Sequence, residues 1–245
     1  MGNLLLRGMI AGLIASLLAF GFAKVYGEPQ VDRAIAFEEQ QSHAGGAAEA
    51  HDHEEEIVSR DVQSSFGLLT GVVVYGTALG GLFALAFAFI NGRLVRLSPR
   101  ATAGLLAAAA FVALYIVPFL KYPANPPAVG LGETIGHRTQ LYFAMIVFSL
   151  AALAIAISAG RQLLAKLGTW NASLAGAAIY IGLVGLAAYV LPAVNEVPAT
   201  FPADLLWQFR LAAFGTQAIL WTALALIFGA LVERGWESRG ALARG

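Results

Sequence analysis

Cysteine is absent from this chain of 245 residues. Its absence excludes disulfide bonds, thiolate metal ligands and cysteine nucleophiles. Charged residues are also scarce, at 12% of the chain against 58% hydrophobic residues. A soluble domain of this length needs more polar surface, so the composition predicts a protein that is largely covered by lipid. No cluster of Lys and Arg with interleaved aromatic residues occurs, so we do not expect nucleic acid as a partner.

The familiar sequence motifs of catalysis are missing too. There is no Walker loop, no nucleophile elbow and no HExxH zinc motif. The middles of the apolar stretches carry no ionisable side chain other than tyrosine, although an intramembrane hydrolase or a proton relay would place its residues there. We therefore expect no enzymatic activity and no covalently bound cofactor. The sequence does not show a path by which an ion would cross.

Six apolar stretches are long enough to cross the hydrocarbon core as helices, which takes about 20 residues each. The alternating ten-residue pattern of membrane β-barrels is absent. We predict an all-α, polytopic transmembrane bundle that forms a single membrane domain over 1–245. Small residues at four-residue spacing in the first two stretches, such as Gly8, Gly12, Gly76 and Gly80, favour close helix packing. The predicted spans are 4–25, 66–92, 101–120, 141–159, 172–191 and 211–232.

The charges are segregated between the two predicted faces of the membrane. Nine of the fifteen Lys and Arg residues lie on one face, and thirteen of the fifteen acids lie on the other. Because basic loops stay in the cytoplasm, we expect a bacterial inner-membrane protein with both termini inside. The first span also fits a cleavable signal peptide, and cleavage would leave five spans. The nine basic residues are Arg7, Arg93, Arg96, Arg100, Arg161, Lys166, Arg234, Arg239 and Arg244.

Proline-rich turns repeat along the chain on the acidic face. The third span ends with Tyr115-Ile-Val-Pro118 and the fifth with Tyr189-Val-Leu-Pro192. Each is followed by a Pro-x-x-x-Pro turn and then by an arginine that opens the next span. The first span ends more loosely, at Gly27-Glu28-Pro29. The pattern predicts three repeated, Pro-terminated hairpins, as in many transporter folds. The turns contain Pro123, Pro127, Pro198 and Pro202, and the arginines are Arg138 and Arg210.

The longest predicted loop, 26–65, is rich in histidine and acidic residues. A flexible tract of imidazole and carboxylate groups can fold around a borderline divalent ion such as Co, Ni or Zn. The alternative is a solvated acidic loop without a ligand. The candidate metal ligands in this tract are His43, His51, His53 and Glu54.

A second set of polar residues lies closer to the bilayer. Glu133 and His137 are four residues apart, and Asn125, Glu196 and Asp204 occupy equivalent Pro-rich turns. These residues could bind a metal ion. Arg138 and Arg210 could instead form ion pairs with the acids at the membrane interface, which would make the set structural.

Three segments resemble the CbtA-type cobalt transporter subunits, in the same order along the chain. The first segment contains Glu28, Asp32 and Arg33. The second contains Asn125 and Arg138, and the third contains Glu196 and Arg210. The segments are 27–39 (GEPxVDRAI, then EE), 122–138 (YPxNPPxVG, then TIGxR) and 195–210 (NEVP, then FPAxLLWxFR).

The resemblance implies a permease subunit for uptake of a divalent metal, with cobalt as substrate, associated with cobalamin metabolism. It also implies a small single-span partner that carries a histidine motif, similar to CbtB. On this reading the His/Glu loop captures the ion and passes it to an outer vestibule built by the Pro-rich turns. The alternative is a non-transporting scaffold or a metal-sensing accessory subunit. The residues that would relay the metal are Glu28, Asp32, Asn125, Glu133, His137 and Glu196.

Overall fold

The structure, a computed structural model, describes residues 2–44, 59–94 and 97–242 of the chain. Within these ranges every regular element is helical and no strand occurs. The predicted all-α class is therefore confirmed. The physical reason is that a helix satisfies its own backbone hydrogen bonds, which an apolar segment in a bilayer requires.

Eight α-helices follow one another in the part of the chain that the structure describes. π-helical turns at Ala23–Gly27, Gln63–Gly67 and Val112–Ile116 join three pairs of them, and a 3-10 turn at Gly132–Thr134 precedes the longest helix. The helices are α1 (Gly2–Phe22), α2 (Glu28–Ala44), α3 (Arg60–Val62), α4 (Leu68–Ile90), α5 (Pro99–Phe111), α6 (Val117–Lys121), α7 (Ile135–Val190) and α8 (Ala203–Leu242).

Five helical segments in the described part of the chain are long and apolar enough to cross a membrane. The sequence predicted six, and this number is not confirmed. The predicted spans at 141–159 and 172–191 both fall within one segment. The five segments are Gly2–Gln41, Arg60–Ile90, Pro99–Lys121, Gly132–Val190 and Ala203–Trp236.

Helix α7 reverses direction at Gly168, where the backbone is non-helical with φ 70° and ψ 170°. The hydroxyl oxygens of Ser149 and Tyr180 lie 2.8 Å apart although they are 31 residues apart in sequence. In a straight helix that separation would span about 46 Å. The two halves of α7 therefore run side by side. Glycine suits the turn because a positive φ costs it little.

The chain divides into two compact units, of which the first comprises 1–109, 126–128 and 202–245. In this unit α1 and α4 pack antiparallel through glycine. A Cβ atom added at Gly8 would overlap the carbonyl oxygen of Gly80, and one added at Gly12 would overlap that of Gly76. The predicted close packing of these small residues is confirmed. The buried Phe87 and Phe228 rings make an edge contact, with centroids 5.1 Å apart, in the same unit.

The second unit comprises 110–125 and 129–201. Its buried core contains Val117, Tyr122, Leu141 and Met145. The Tyr122 hydroxyl donates a hydrogen bond of 2.8 Å to the carbonyl oxygen of Pro192. This bond ties the end of α6 to the first residues after α7.

A π-helical turn lies just before Pro29 and another just before Pro118. Proline has no N–H to donate, and its ring clashes with the carbonyl of the residue four positions earlier. A wider turn at that place accommodates the clash and gives the backbone groups new partners. The prolines therefore leave these helices continuous, with a local change of winding.

The predicted loop 26–65 is helical at both described ends, in α2 and in the segment that begins at Arg60. Alanine, glutamate, glutamine and arginine dominate α2, and these residues favour helix. The polar composition of α2 conceals the helix from a search for apolar spans. Residues 45–58 lie outside the described part of the chain.

Candidate functional site

Three polar clusters lie near the ends of the apolar helices, where the Pro-rich segments occur. The Arg60 cluster consists of Glu28, Asp32 and Arg60. The Arg33 cluster consists of Gln30, Arg33, Asp204 and Gln208, and both belong to the first unit. The Glu196 cluster consists of Leu131, Thr134, Arg138 and Glu196 in the second unit.

Arg60 bridges two carboxylates that lie one helical turn apart on α2. Its guanidinium pairs with Glu28 through Nη2 and contacts Asp32 Oδ1 through Nη2 and Nε at 2.8 and 3.0 Å. The Glu28 side chain is 12% exposed, whereas that of Asp32 is 60% exposed. Ion pairs shielded from water contribute more than exposed ones, so Glu28 is the stronger partner.

The Lys24 ammonium links the two π-helical turns of the first unit. It donates to the carbonyl oxygen of Ser64 at 3.0 Å and contacts the Ser64 hydroxyl at 3.1 Å. Lys24 lies in the turn before α2, and Ser64 in the turn before α4. Together with Arg60, this contact fixes the start of α2 against the start of α4.

Arg33 joins α2 to the first turns of α8. Its guanidinium donates to Asp204 Oδ2 and to Gln208 Oε1, each at 3.0 Å. It also contacts Gln30 on its own helix. The predicted candidates Glu28, Asp32 and Arg33 thus all take part in ion pairs.

Glu196 receives its donors at a single carboxylate oxygen. The Leu131 backbone N–H and the Thr134 hydroxyl lie 3.0 and 2.9 Å from Oε2, and Arg138 Nε lies 3.4 Å from the same atom. The Leu131 hydrogen bond, followed by Thr134 and the charges of Arg138 and His137, lowers the pKa of Glu196 below its usual value. The carboxylate is therefore held ionised in the Pro-rich turn.

Gly130 makes room for the arginine of this cluster. Its φ of +106° is a conformation that other residues rarely adopt. A Cβ atom there would also overlap the Arg138 guanidinium. The glycine thus permits both the turn and the placement of the positive charge beside Glu196.

The other predicted candidates are less closely grouped. Glu133 and His137 are exposed, and Asn125, Arg210 and Pro123, Pro127, Pro198 and Pro202 are half-buried. His43 lies in α2, but its side chain is outside the described part of the structure, as are the residues His51, His53 and Glu54. Among the side chains that the structure describes, no three His, Asp or Glu residues lie close enough together to hold a metal ion.

Arg60, Thr134 and Gln208 are polar partners that sequence reasoning did not single out. Arg60 contacts residues that lie 28 and 32 positions away in sequence, and Gln208 contacts a residue 175 positions away. Local sequence patterns do not reveal contacts over such separations. The distribution of charge gave one indication that Arg60 has acidic partners, because Arg60 is a basic residue on the predicted acidic face. Thr134 lies within the TIGxR motif, where its role as a donor to Glu196 was not apparent.

Comparison with known families gives a match over nearly the whole chain. A family model described as "Probable cobalt transporter subunit (CbtA)" matches residues 1–233. The matched residues include all three polar clusters and reach all five apolar helices. Comparison with curated proteins and with solved structures found no match.

Proposed function

Because the chain belongs to the CbtA family of probable cobalt transporter subunits, we propose that it is a membrane permease subunit for divalent metal uptake, with cobalt as substrate. The observation that carries the proposal is the match over residues 1–233. Five helices able to cross a membrane agree with a subunit that is embedded in the bilayer.

The proposed topology has six crossings and places both termini in the cytoplasm of a bacterial inner membrane. The reversal of α7 at Gly168 supports two crossings within the longest apolar segment. Arg161 and Lys166 lie close to that reversal in sequence, and a basic turn is expected on the cytoplasmic side. Glu196 and the Pro-rich turns then face the outside.

The proposed transport sequence begins at the His/Glu tract. His43, His51, His53 and Glu54 would raise the local concentration of the metal ion. The acids of the Arg60 and Glu196 clusters, with Glu133, His137 and Asn125, would receive it next, in a vestibule formed by the Pro-rich turns. Entry of a divalent cation is favoured by the membrane potential, by about 2.3 kcal/mol per charge per 100 mV.

In the Arg60 cluster the guanidinium lies where a metal ion would bind, so we expect binding there to take the form of an exchange. A metal ion that binds Glu28 and Asp32 replaces the guanidinium of Arg60. At Glu196 the Leu131 N–H and the Thr134 hydroxyl both donate to Oε2. A metal ion can therefore bind Oε1 while Arg138 remains in place.

The decisive experiment follows cobalt entry into vesicles that contain the purified chain, alone and with a single-span, histidine-bearing subunit of the CbtB type. We expect uptake that saturates with cobalt and that falls at least tenfold for Glu196→Gln. Glu39→Gln, an exposed acid on α2 outside the clusters, serves as the matched control and should transport normally. Normal cobalt uptake by the Glu196→Gln variant would show that Glu196 does not take part in transport.

Substitution of the histidine tract tests the capture step separately. The triple variant with His43, His51 and His53 replaced by alanine should transport poorly at low cobalt and recover at high cobalt. Equal uptake at all concentrations would contradict capture by this tract without affecting the assignment of a permease.

A second function, as a scaffold or metal-sensing subunit without transport, is favoured by one observation. Glu28, Asp32 and Glu196 each form an ion pair with an arginine, which suits a fixed structural element. On this alternative, vesicles containing the chain and its partner take up no cobalt. Cobalt would instead change the fluorescence of a probe attached near the Arg60 cluster.

A further inference from the structure

A groove of about 380 Å³ runs between the two halves of α7 in the second unit. Gly160 and Gly176 lie where the helices approach closely, since a Cβ atom at Gly176 would be only 3.3 Å from the carbonyl oxygen of Ala156. The groove has the size of a small-molecule site. It lies away from the Glu196 cluster, and the proposed transport path does not use it.

The two ends of the groove differ in polarity. Arg161 and Ser173 line it within seven residues of the Gly168 turn, which corresponds to about 10 Å along the helices. Leu153 and Tyr180 line it 12 to 15 residues from the turn, at a depth of about 20 Å. The bond between the Ser149 and Tyr180 hydroxyls satisfies both polar groups and lies beside this deeper end.

Arg161 supplies a positive charge at the shallow end of the groove. In the described part of the chain Arg161 forms no ion pair with an acid. Lys166 and the exposed Trp170 follow at the same turn, where basic and aromatic residues mark a membrane interface. The groove is thus charged at the membrane surface and apolar towards the bilayer centre.

We propose that this groove binds an anionic phospholipid of the leaflet on the basic side of the membrane. The phosphate of the headgroup pairs with Arg161, and one acyl chain lies along the groove between the halves of α7. Charge complementarity selects the anionic headgroup, because basic pockets between membrane helices recognise such lipids. The bound lipid fills the space between the two helices and stabilises their antiparallel packing.

Native mass spectrometry of the delipidated full chain in a neutral detergent tests the proposal. Phosphatidylglycerol and phosphatidylcholine with identical acyl chains are titrated in parallel, and the wild type should retain more phosphatidylglycerol. Arg161→Gln should weaken phosphatidylglycerol binding about fivefold, the equivalent of about 1 kcal/mol per basic residue. Phosphatidylcholine binding should not change, and Arg161→Lys should keep most of the affinity for phosphatidylglycerol.

Arg93→Gln is the matched control, because Arg93 lies on the same predicted face but contacts the Ala88 carbonyl and the Phe89 ring outside the groove. Ala177→Phe fills the groove from an exposed wall position and should lower the affinity for both lipids. Circular dichroism and gel filtration establish that each variant is folded.

Four results would overturn the proposal. The wild type could bind phosphatidylglycerol and phosphatidylcholine equally. Arg161→Gln could leave the preference for phosphatidylglycerol unchanged, or Arg161→Lys could abolish it. The chain could also form a dimer that Ala177→Phe dissociates without any retained lipid, which would make a second copy the occupant. These results leave the permease assignment unaffected, since cobalt uptake is measured separately.

Discussion

Glu196 shows how a single residue organises a Pro-rich turn. A backbone N–H and a hydroxyl meet one oxygen of its carboxylate, and Arg138 supplies a nearby positive charge. The Leu131 N–H is the largest cause of the lowered pKa, ahead of Thr134 and Arg138. The residue is thus ionised at neutral pH, which suits both an ion pair and a metal ligand.

Replacement of Glu196 by glutamine should lower the temperature of thermal unfolding in detergent by a few degrees at neutral pH. The folded-state pKa lies below the usual value of 4.5, so the carboxylate contributes stability above about pH 4.5 and loses it as the pH falls through the folded pKa. The difference between wild type and Glu196→Gln should therefore shrink on acidification. Scanning fluorimetry at a series of pH values measures it, and a difference that is constant with pH would contradict this account.

At the residue scale, the sequence left two alternatives for Glu196, an ion pair with an arginine or a metal ligand. It placed Arg138 among the residues that could pair with the acids of the turns, and the structure shows the pair with Glu196. It did not identify Arg60, because its partners Asp32 and Glu28 lie 28 and 32 residues earlier in the sequence. A pairing of this kind depends on how α2 and α3 approach each other, which no local motif encodes.

At the scale of the elements, the contact between α1 and α4 depends on glycine. Helices in lipid gain no hydrophobic energy by associating, so close backbone packing takes a larger share of their stability. Gly8, Gly12, Gly76 and Gly80 provide that closeness. Their spacing was visible in the sequence, and for this reason close packing of these two helices could be predicted, whereas their contact with each other was not.

Gly12→Ala should destabilise the first unit by about 1–3 kcal/mol, because the new methyl group overlaps backbone atoms that cannot move easily. Gly104→Ala is the control, since a Cβ atom there has no neighbour within 4 Å and the substitution favours helix. Unfolding in increasing denaturing detergent, followed by circular dichroism, compares the two. Equal stability of both variants would show that α1 and α4 are not packed as described.

The polar helices were harder to predict than the apolar ones. Helix α2 follows the first apolar segment through a π-helical turn, although Glu28 and Pro29 mark a boundary in the sequence. A proline just inside a helix is compatible with helical φ angles, and the widened turn removes its clash with the preceding backbone. The predicted loop 26–65 therefore begins with a helix that a search for apolar spans does not find.

At the scale of the whole molecule, the proposed topology makes a test by chemical labelling straightforward. The chain has no cysteine, so single cysteines can be introduced at will. With six crossings, cysteines at Gly132 and Ala199 should react with a membrane-impermeant maleimide in intact cells. A cysteine at Lys166 should react only after permeabilisation. Labelling of positions 132 and 199 from opposite faces would exclude a pair of crossings within α7.

The segregation of charge between the two faces of the membrane is a prediction that the sequence makes directly. Basic and acidic residues alternate between successive apolar segments, and this pattern needs no tertiary information. The number of crossings stays a prediction, because the predicted spans 141–159 and 172–191 fall within one described segment that reverses at Gly168. The division into two units was not predicted, because it depends on contacts between residues far apart in sequence.

Helix α2 has a consequence for the electrostatics of metal capture. Its 17 residues extend for about 25 Å from the Arg60 cluster at its beginning. The Debye length at physiological ionic strength is about 8 Å, so the end of α2 lies some three screening lengths from its beginning. A cation near that end is therefore screened from the charges of the Arg60 cluster. Substitutions in the Arg60 cluster should then leave the proposed capture of metal by the His/Glu tract largely unchanged.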